Sequence, residues 1–288
     1  MVNLAGLLID YDCMSHVPSD VPVEHRFLPP QATKTQGYLD SIQSWTTHNL
    51  MKINSSKSNY MVISRCQEDF ATRLTINGDV IERKKVVKIL GVWISEDAGD
   101  WSINISEICK KAYGRISMLS KLKYAGVSVE DLLEIYCLFV RSKTEYCSVV
   151  FASSLTLEQK KKLENIEKTC LRIILQEMYI GYTEACEMLS ISPISARREA
   201  RMLNYAKKCV RHPTNARFFP RNPNHSVNPL IREREPFKVN FTRTETYRKS
   251  TVPTCQRLLN SYYMEHPERL GQEPRSSDRG GTRERPPG

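Results

Sequence analysis

The sequence has 288 residues, a formal net charge of +10 and a pI near 9.1. No apolar run approaches the roughly 20 residues that a membrane-spanning helix needs, which excludes a helical membrane protein. Residues 1–10 are apolar but lack the basic flank and small-residue cleavage site of a signal peptide. We therefore expect a protein of the nucleus or cytoplasm that is neither secreted nor bound to a membrane.

The spacing of the cysteines and the distribution of charge indicate what kind of protein this is. The nine cysteines form no CxxC pair and no Cys/His cluster at zinc-ligand spacing, which favours free thiols that pack as small hydrophobic side chains. The positive charge is uneven, since residues 201–249 contain twelve Lys and Arg against three Glu. Such an excess suggests a polyanionic partner, most often nucleic acid. Charge alone does not establish one.

The first hundred residues predict a helix among short strands. A short strand is compatible with residues 4–13, and Leu39, Ile42 and Trp45 recur at helical spacing within residues 35–50, with Trp45 expected in the core. Strand-like runs follow at residues 60–64, 74–77, 80–82 and 86–94. Asn77-Gly78 is a strong hairpin signal. Gly91 lies inside the last run, where glycine marks a bulge or the close approach of another backbone.

From Ser102 onward the pattern is helical. Apolar residues from Ile105 to Leu122 form one face of a long helix, and Ser128 and Thr156 are candidate N-caps of the next two. Shorter helices are predicted at residues 183–189 and 195–210. Prolines interrupt the chain after His212, and residues 250–265 are compatible with one more helix.

Local strings carry a more specific signal than these periodicities. In chain order they are Trp45-x3-Asn49-Leu50-Met51-Lys52-Ile53-Asn54-x2-Lys57, Lys88-Ile89-Leu90-Gly91-Val92, Lys110-Lys111-Ala112…Arg115, Tyr136…Val140-Arg141-Ser142…Glu145-Tyr146 and Leu163-Glu164…Ile166-Glu167-Lys168…Arg172-Ile173-Ile174. Over about residues 35–211 the chain resembles the carboxy-terminal palm end and thumb of a non-LTR (LINE/jockey-type) retrotransposon reverse transcriptase.

The resemblance implies roles for several basic residues. Lys57 would lie in polymerase motif D near the phosphates of the incoming nucleotide, and Lys88 and Gly91 in the primer grip. The thumb would then contact an RNA/DNA primer-template through residues Lys110, Lys111, Arg115 and Arg141. The competing interpretations are a solvated turn lysine for Lys57, a strand bulge for Gly91 and a solvated helix face for the thumb residues.

The metal site of the family is the main departure. Polymerases of this class hold two Mg²⁺ ions with carboxylates from separate strands. Asp10 and Asp12 are the only candidates, and strand alternation would place them on one face. They resemble a degenerate copy of the paired aspartates, with Tyr11 between them. The chain shows no partner aspartate, so we expect no cofactor for it.

Together these observations predict an α+β chain. Residues 1–100 would be a small antiparallel palm-remnant sheet, 101–211 a helical thumb-like bundle, 212–265 a basic, largely irregular extension and 266–288 a disordered tail. The predicted function is that of a truncated RNA-directed DNA polymerase fragment, inactive alone, that retains nucleic-acid binding. The alternative is a decayed or domesticated fragment that acts as a protein-interaction or structural module.

Overall fold

The computed structural model describes residues 5–10, 30–63, 73–97, 99–222 and 235–270, and the predicted tail beyond residue 270 lies outside them. The fold class is α+β, as predicted. The chain divides into two compact units at Ser106/Glu107, within helix α2 (Ser102–Tyr124). None of the helices in the described ranges combines the length and apolar character needed to cross a membrane.

The first unit contains a parallel sheet that the sequence analysis did not predict. Strands β1 (Ala5–Asp10) and β2 (Asn59–Ile63) pair in parallel, with helix α1 (Pro30–His48) between them in the chain. Strand β5 (Glu82–Arg83) adds to β2, also in parallel. A strand–helix–strand connection favours this arrangement, because the crossover helix returns the chain to the same end of the sheet. The expectation of a single antiparallel sheet was therefore wrong for these strands.

Two hairpins supply the antiparallel pairs. Strands β3 (Thr75–Ile76) and β4 (Asp79–Val80) meet at the predicted Asn77-Gly78 turn. Residues 86–94, predicted as one strand, instead form β6 (Val86–Ile89) and β7 (Val92–Ser95). The turn between them is Leu90-Gly91, with φ of +46° and +89°. Positive φ at both residues is what a tight two-residue hairpin turn requires, so Gly91 serves the turn and not a bulge within a strand.

The core of the first unit lies between α1 and these strands. It consists of Leu39, Ile53, Tyr60, Val62, Leu74, Ile76 and Ile81. Helix α1 buries Leu39 and Thr46, which are seven residues apart on one face. Trp45 lies about a quarter-turn away from that face and is 59% exposed. The prediction of Trp45 as a core residue was wrong, because its spacing from Leu39 places it beside the buried stripe.

The second unit is helical. After α2 come α3 (Val129–Ile135), a π-helical segment (Tyr136–Arg141), α4 (Ser142–Thr144), α5 (Ser148–Phe151), α6 (Leu157–Leu175), α7 (Tyr182–Met188) and α8 (Ile194–Arg211). The predicted caps are confirmed. The Asp131 N–H donates to the Ser128 hydroxyl, and Thr156 and Gln159 form a reciprocal capping box. Ala112, Ile116 and Leu119 bury the inner face of α2, as their spacing predicts.

The described residues after 211, which are 212–222 and 235–270, belong to the same compact unit. Helices α9 (Glu245–Arg248) and α10 (Thr251–Glu265) follow, the second as predicted, and α10 packs on α8. Their shared core is Met202, Ala206, Cys209, Phe219, Phe237, Cys255, Leu259, Tyr263 and Leu270. The Asn260 amide bonds both backbone groups of Phe237, at 2.8 and 2.9 Å. Buried amides on a helix thus order backbone that carries no regular structure of its own.

Candidate nucleic-acid interface

The predicted polymerase residues of the first unit do not form a cluster around a metal. Asp10 ends β1, and Asp12 lies outside the described residues. Within the described ranges, no group of three or more His, Cys, Asp or Glu is placed to hold a metal ion. The part of the chain that the structure describes therefore does not fit the family's Mg²⁺ site.

Lys57 lies at the end of a short 3-10 helix, Ser55–Lys57, with its side chain exposed. The Asn54 side chain caps this turn by accepting from the Lys57 N–H at 3.2 Å. Capping by Asn54 is enough to account for this local turn. The position of the Lys57 ammonium beside a nucleotide stays a prediction.

Lys88 and Trp93 face each other across the β6–β7 hairpin. The Lys88 ammonium lies 5.4 Å from the centre of the Trp93 ring, while their neighbours Val87 and Val92 are buried on the other face. A cation above an indole ring at a surface contributes about 0.5–1 kcal/mol. The contact with Trp93 accounts for where the Lys88 side chain lies. A contact between Lys88 and a primer would compete with it.

The outward face of α2 carries a lysine stripe, which we define as Lys110, Gly114, Ser117 and Lys121. These residues follow one another at spacings of four, three and four, so they lie along one line of the helix, and all are exposed. Eleven residues rise about 16 Å, which separates the two lysines along the helix axis. Neither lysine has a carboxylate within 4 Å among the described residues. Sequence reasoning missed Lys121, although its three-turn spacing from Lys110 could have identified it.

Lys111 and Arg115 flank this stripe on one side. Lys111 is exposed and, like Lys110, has no described ion-pair partner. Arg115 is half-buried, and its Nη1 donates to the carbonyl oxygen of Phe139 at 2.6 Å. Arg115 thus ties α2 to the π-helical segment. Of the three predicted residues on this helix, two keep their charge available to solvent.

Helix α6 brings further lysines towards the other side of α2. The thiol of Cys109, next to Lys110 in the chain, lies close enough to Lys162 to respond to its charge. Burial raises the pKa of Cys109, and the Lys162 ammonium opposes that shift. Lys162 also pairs with Glu158 at 2.8 Å, whereas its neighbours Lys160 and Lys161 are exposed. The surface around α2 and the start of α6 is therefore basic.

Arg141 points into the second unit. Its Nε lies 3.4 Å from Oε1 of Glu145, a carboxylate that is almost completely buried. The π-helical segment explains this placement, because its bonding joins residue i to i+5 and so puts Tyr136 and Arg141 one turn apart. The hydroxyl of Tyr136 donates to Glu167 Oε1 at 2.7 Å. The side chain of Arg141 thus binds the buried carboxylate of Glu145, and that of Tyr136 binds the buried carboxylate of Glu167.

Arg197 of α8 is the centre of this buried network. Its Nη2 lies 2.6 Å from Glu145 Oε1 and 2.8 Å from Glu167 Oε1, and its Nη1 donates to the Ser192 carbonyl. Burial alone would lower the pKa of Arg197, but the charges of Glu167 and Glu145 and their hydrogen bonds outweigh it and raise the pKa. The network joins α6, α8 and the segment around Glu145 into one unit, and it holds α6 and the π-helical segment that carries Phe139 in place.

Glu167 is satisfied from several directions. Besides Tyr136 and Arg197, the Tyr182 hydroxyl donates to Oε2 at 2.6 Å and the Ile194 N–H at 3.1 Å. Its carboxylate thus occupies the amino-terminal end of α8, where free N–H groups favour an anion. No short window of sequence identifies this network, because Arg197 lies off the helical face shared by Met202, Ala206 and Cys209 and its carboxylate partners are distant in the chain.

Comparison with known proteins identified no relative: no protein-family model, curated protein or solved structure matches this chain.

Proposed function

We propose that this chain is a carboxy-terminal part of a non-LTR retrotransposon reverse transcriptase, the palm end and thumb, and that its own activity is to bind nucleic acid without polymerising it. The ligand would be an RNA/DNA primer-template duplex. The proposal places the chain inside the cell, in the nucleus or cytoplasm. Mg²⁺ belongs to the family's polymerase chemistry and is not required for the binding proposed here.

The observation that carries the proposal is the lysine stripe of α2. Two exposed lysines lie about 16 Å apart along the helix axis, and the stripe between them holds only Gly114 and Ser117, so a phosphate backbone can approach the helix closely. Phosphates follow one another about every 3.4 Å of helix axis along each strand of a duplex, so two lysines about 16 Å apart can contact phosphates that are several nucleotides apart. Lys111 beside the stripe and the lysines at the start of α6 add to the same positive field.

The rigidity of the helices that support the lysine stripe favours nucleic-acid binding. The ion network of Arg197, Glu145 and Glu167 is inside the second unit, and Arg115 fixes α2 to the π-helical segment. Side chains on a rigid helix lose less conformational entropy on binding than side chains on a loop. The lysines therefore need only limited ordering when phosphate binds.

A second candidate function is protein interaction. Leu138 and Phe139 of the π-helical segment and Tyr113 and Met118 of α2 are exposed apolar side chains. Aromatic and Met side chains are enriched at protein interfaces. This reading predicts a binding surface whose affinity changes little with salt, in contrast to phosphate binding.

The test is binding of the full chain to a labelled RNA–DNA duplex, followed by fluorescence anisotropy at several salt concentrations. We expect K110Q/K121Q to weaken binding and to reduce the salt slope by about 2, since each phosphate contact contributes about 1 to that slope. Glutamine is close to lysine in helix propensity, so α2 should be retained. The matched control is K143Q/K208Q, which also removes two charges, from exposed lysines of α4 and α8.

The possible outcomes distinguish a duplex-binding site on α2 from its alternatives. Equal loss in K110Q/K121Q and K143Q/K208Q would mean that the overall charge binds the duplex and would contradict a site on α2. Absence of salt-sensitive binding by the unmodified chain would contradict nucleic-acid binding itself. Retained binding to duplex together with stronger binding to single strands would contradict the proposed duplex geometry.

A further inference from the structure

Tyr262 lies near the end of α10 among three residues that carry or can carry positive charge. The Lys207 ammonium of α8 lies 3.2 Å from the centre of the Tyr262 ring. Nη1 of Arg269 donates to the Tyr262 hydroxyl oxygen at 2.6 Å, and the His266 ring lies 4.9 Å from the Tyr262 ring, centre to centre. None of the sequence motifs includes these residues.

The cluster has unused hydrogen-bond donors. The Tyr262 oxygen accepts from Arg269, so its own proton is left for another acceptor. Lys207 has no carboxylate within 4 Å in the described part of the chain, and its ammonium carries three protons. The acidic residue that the described ion pairs place beside the cluster is Glu268, which lies 3.7 Å from both His266 and Arg269. The cluster therefore keeps a net positive charge.

Stabilisation of a helix end could explain a cluster of cations, but the geometry of Lys207 and Arg269 departs from that explanation. Basic side chains gather at the carboxy-terminal ends of helices because the carbonyl groups there are partly negative. Lys208 and Arg211 of α8 fit that explanation. Lys207 and Arg269 instead converge on one tyrosine side chain. One cation at the ring face and another at the hydroxyl place several hydrogen-bond donors around one side chain, an arrangement that suits an anion with several oxygens.

We propose that Lys207, Tyr262 and Arg269 form a binding site for a phosphate group. The two cations and the Tyr262 hydroxyl supply donors from three directions, and His266 adds a fourth when it is protonated. The phosphate belongs either to a phosphomonoester or to the diester backbone of a nucleic acid, which present the same oxygens. The hydrogen bond from Arg269 and the nearby Lys207 ammonium also lower the pKa of Tyr262, in keeping with surroundings that favour negative charge.

This site is independent of the lysine stripe on α2. It lies on α8, α10 and the short 3-10 helix Pro267–Arg269, so a small phosphate ligand can bind there even if the chain binds no duplex. If the ligand is a nucleic-acid backbone, the site adds one more phosphate contact to the function proposed above. The experiment below separates these cases.

The test is calorimetric titration of the full chain with inorganic phosphate at constant ionic strength, with chloride as the reference anion. We expect R269Q and K207Q each to weaken phosphate binding at least tenfold and Y262F about threefold, because two charge-assisted bonds and one neutral bond are removed. The matched control is K208Q, which removes a charge one residue away on the same helix. It should bind phosphate as the unmodified chain does.

A 5′-phosphorylated and an unphosphorylated dinucleotide then distinguish the source of the phosphate. Preference for the phosphorylated form indicates a monoester ligand, and equal binding indicates the diester. Absence of phosphate binding, or equal weakening by K208Q and K207Q, would overturn the site. K110Q/K121Q should leave phosphate binding unchanged, so failure of duplex binding and failure of this site give different results.

Discussion

Arg197 of α8 and Glu167 of α6 form an ion pair in the interior of the second unit, with 2.8 Å between Nη2 and Oε1 and with both side chains almost completely buried. Buried charges are costly to remove from water, and their attraction offsets that cost only when both partners are present. The pair therefore contributes more to the uniqueness of the packing than to net stability. It also makes the unit sensitive to the loss of either residue.

Removing one partner of this pair should destabilise the protein strongly. We expect R197M to lower the free energy of unfolding by about 3–5 kcal/mol, because Glu145 and Glu167 are then left without their common cation. Urea denaturation followed by circular dichroism measures this. The control is R201M, whose side chain is partly exposed although it also contacts Glu145, at 2.7 Å. A loss in R197M no greater than in R201M would contradict the central position of Arg197.

The tyrosines bound to Glu167 should make the protein sensitive to alkali. Burial first, and then the charge and hydrogen bond of Glu167, raise the pKa of Tyr136, and burial and the hydrogen bond to Glu167 raise that of Tyr182. The folded state thus retains protons that the unfolded chain loses near pH 10. Their stabilisation is complete below about pH 10 and is lost as the pH rises further.

Denaturation midpoints measured from pH 8 to pH 11.5 test this pH dependence. We expect stability to fall above about pH 10, and Y136F to show a shallower fall because one of the two raised groups is absent. Y113F alters an exposed tyrosine of α2 and should keep the slope of the unmodified protein. Identical slopes for Y136F and the unmodified protein would contradict the role of Tyr136.

Two cysteines should resist alkylation while the protein is folded. Burial and the nearby Glu167 charge raise the pKa of Cys170 to about 12, and burial and the neighbouring Cys209 raise that of Cys255 to about 12. Thiolate is the reactive form, so iodoacetamide at pH 8 should modify the half-buried Cys137 and Cys147 before Cys170 and Cys255. Mass spectrometry of the modified peptides, with and without urea, measures the order. Early modification of Cys170 in the folded protein would be inconsistent with its buried position.

The β6–β7 turn offers a stabilising substitution. Leu90 is 86% exposed and has a φ of +46°, so it loses no packing when replaced and is strained where it stands. We expect L90N to stabilise the protein by a few tenths to about 1 kcal/mol, because Asn tolerates this backbone region. G91A should destabilise it by about 1 kcal/mol, because alanine at a φ of +89° is strained. Thermal unfolding compares both with V80N, an exposed position in β4. Stabilisation by G91A would contradict the turn geometry.

Much of the local structure follows from the sequence alone. The Ser128 and Thr156 caps, the Asn77-Gly78 turn and the buried stripe of α2 depend on residues within a few positions of one another. Their hydrogen bonds and periodicities are visible in a short window of sequence. The Leu90-Gly91 turn was missed because a leucine at positive φ carries no turn signal, although the glycine beside it does.

Tertiary structure alone decided how these elements combine. Glu145 and Arg197 are 52 residues apart and Asn260 and Phe237 are 23 apart, so no local pattern indicates that they meet. The same holds for the parallel pairing of β1 with β2 and for the convergence of Lys207 and Arg269 on Tyr262. A sequence specifies which side chains must be buried or hydrogen-bonded, through their chemistry. Which partner satisfies each one depends on the packing of distant segments, since the favourable contacts form only when the whole unit is assembled.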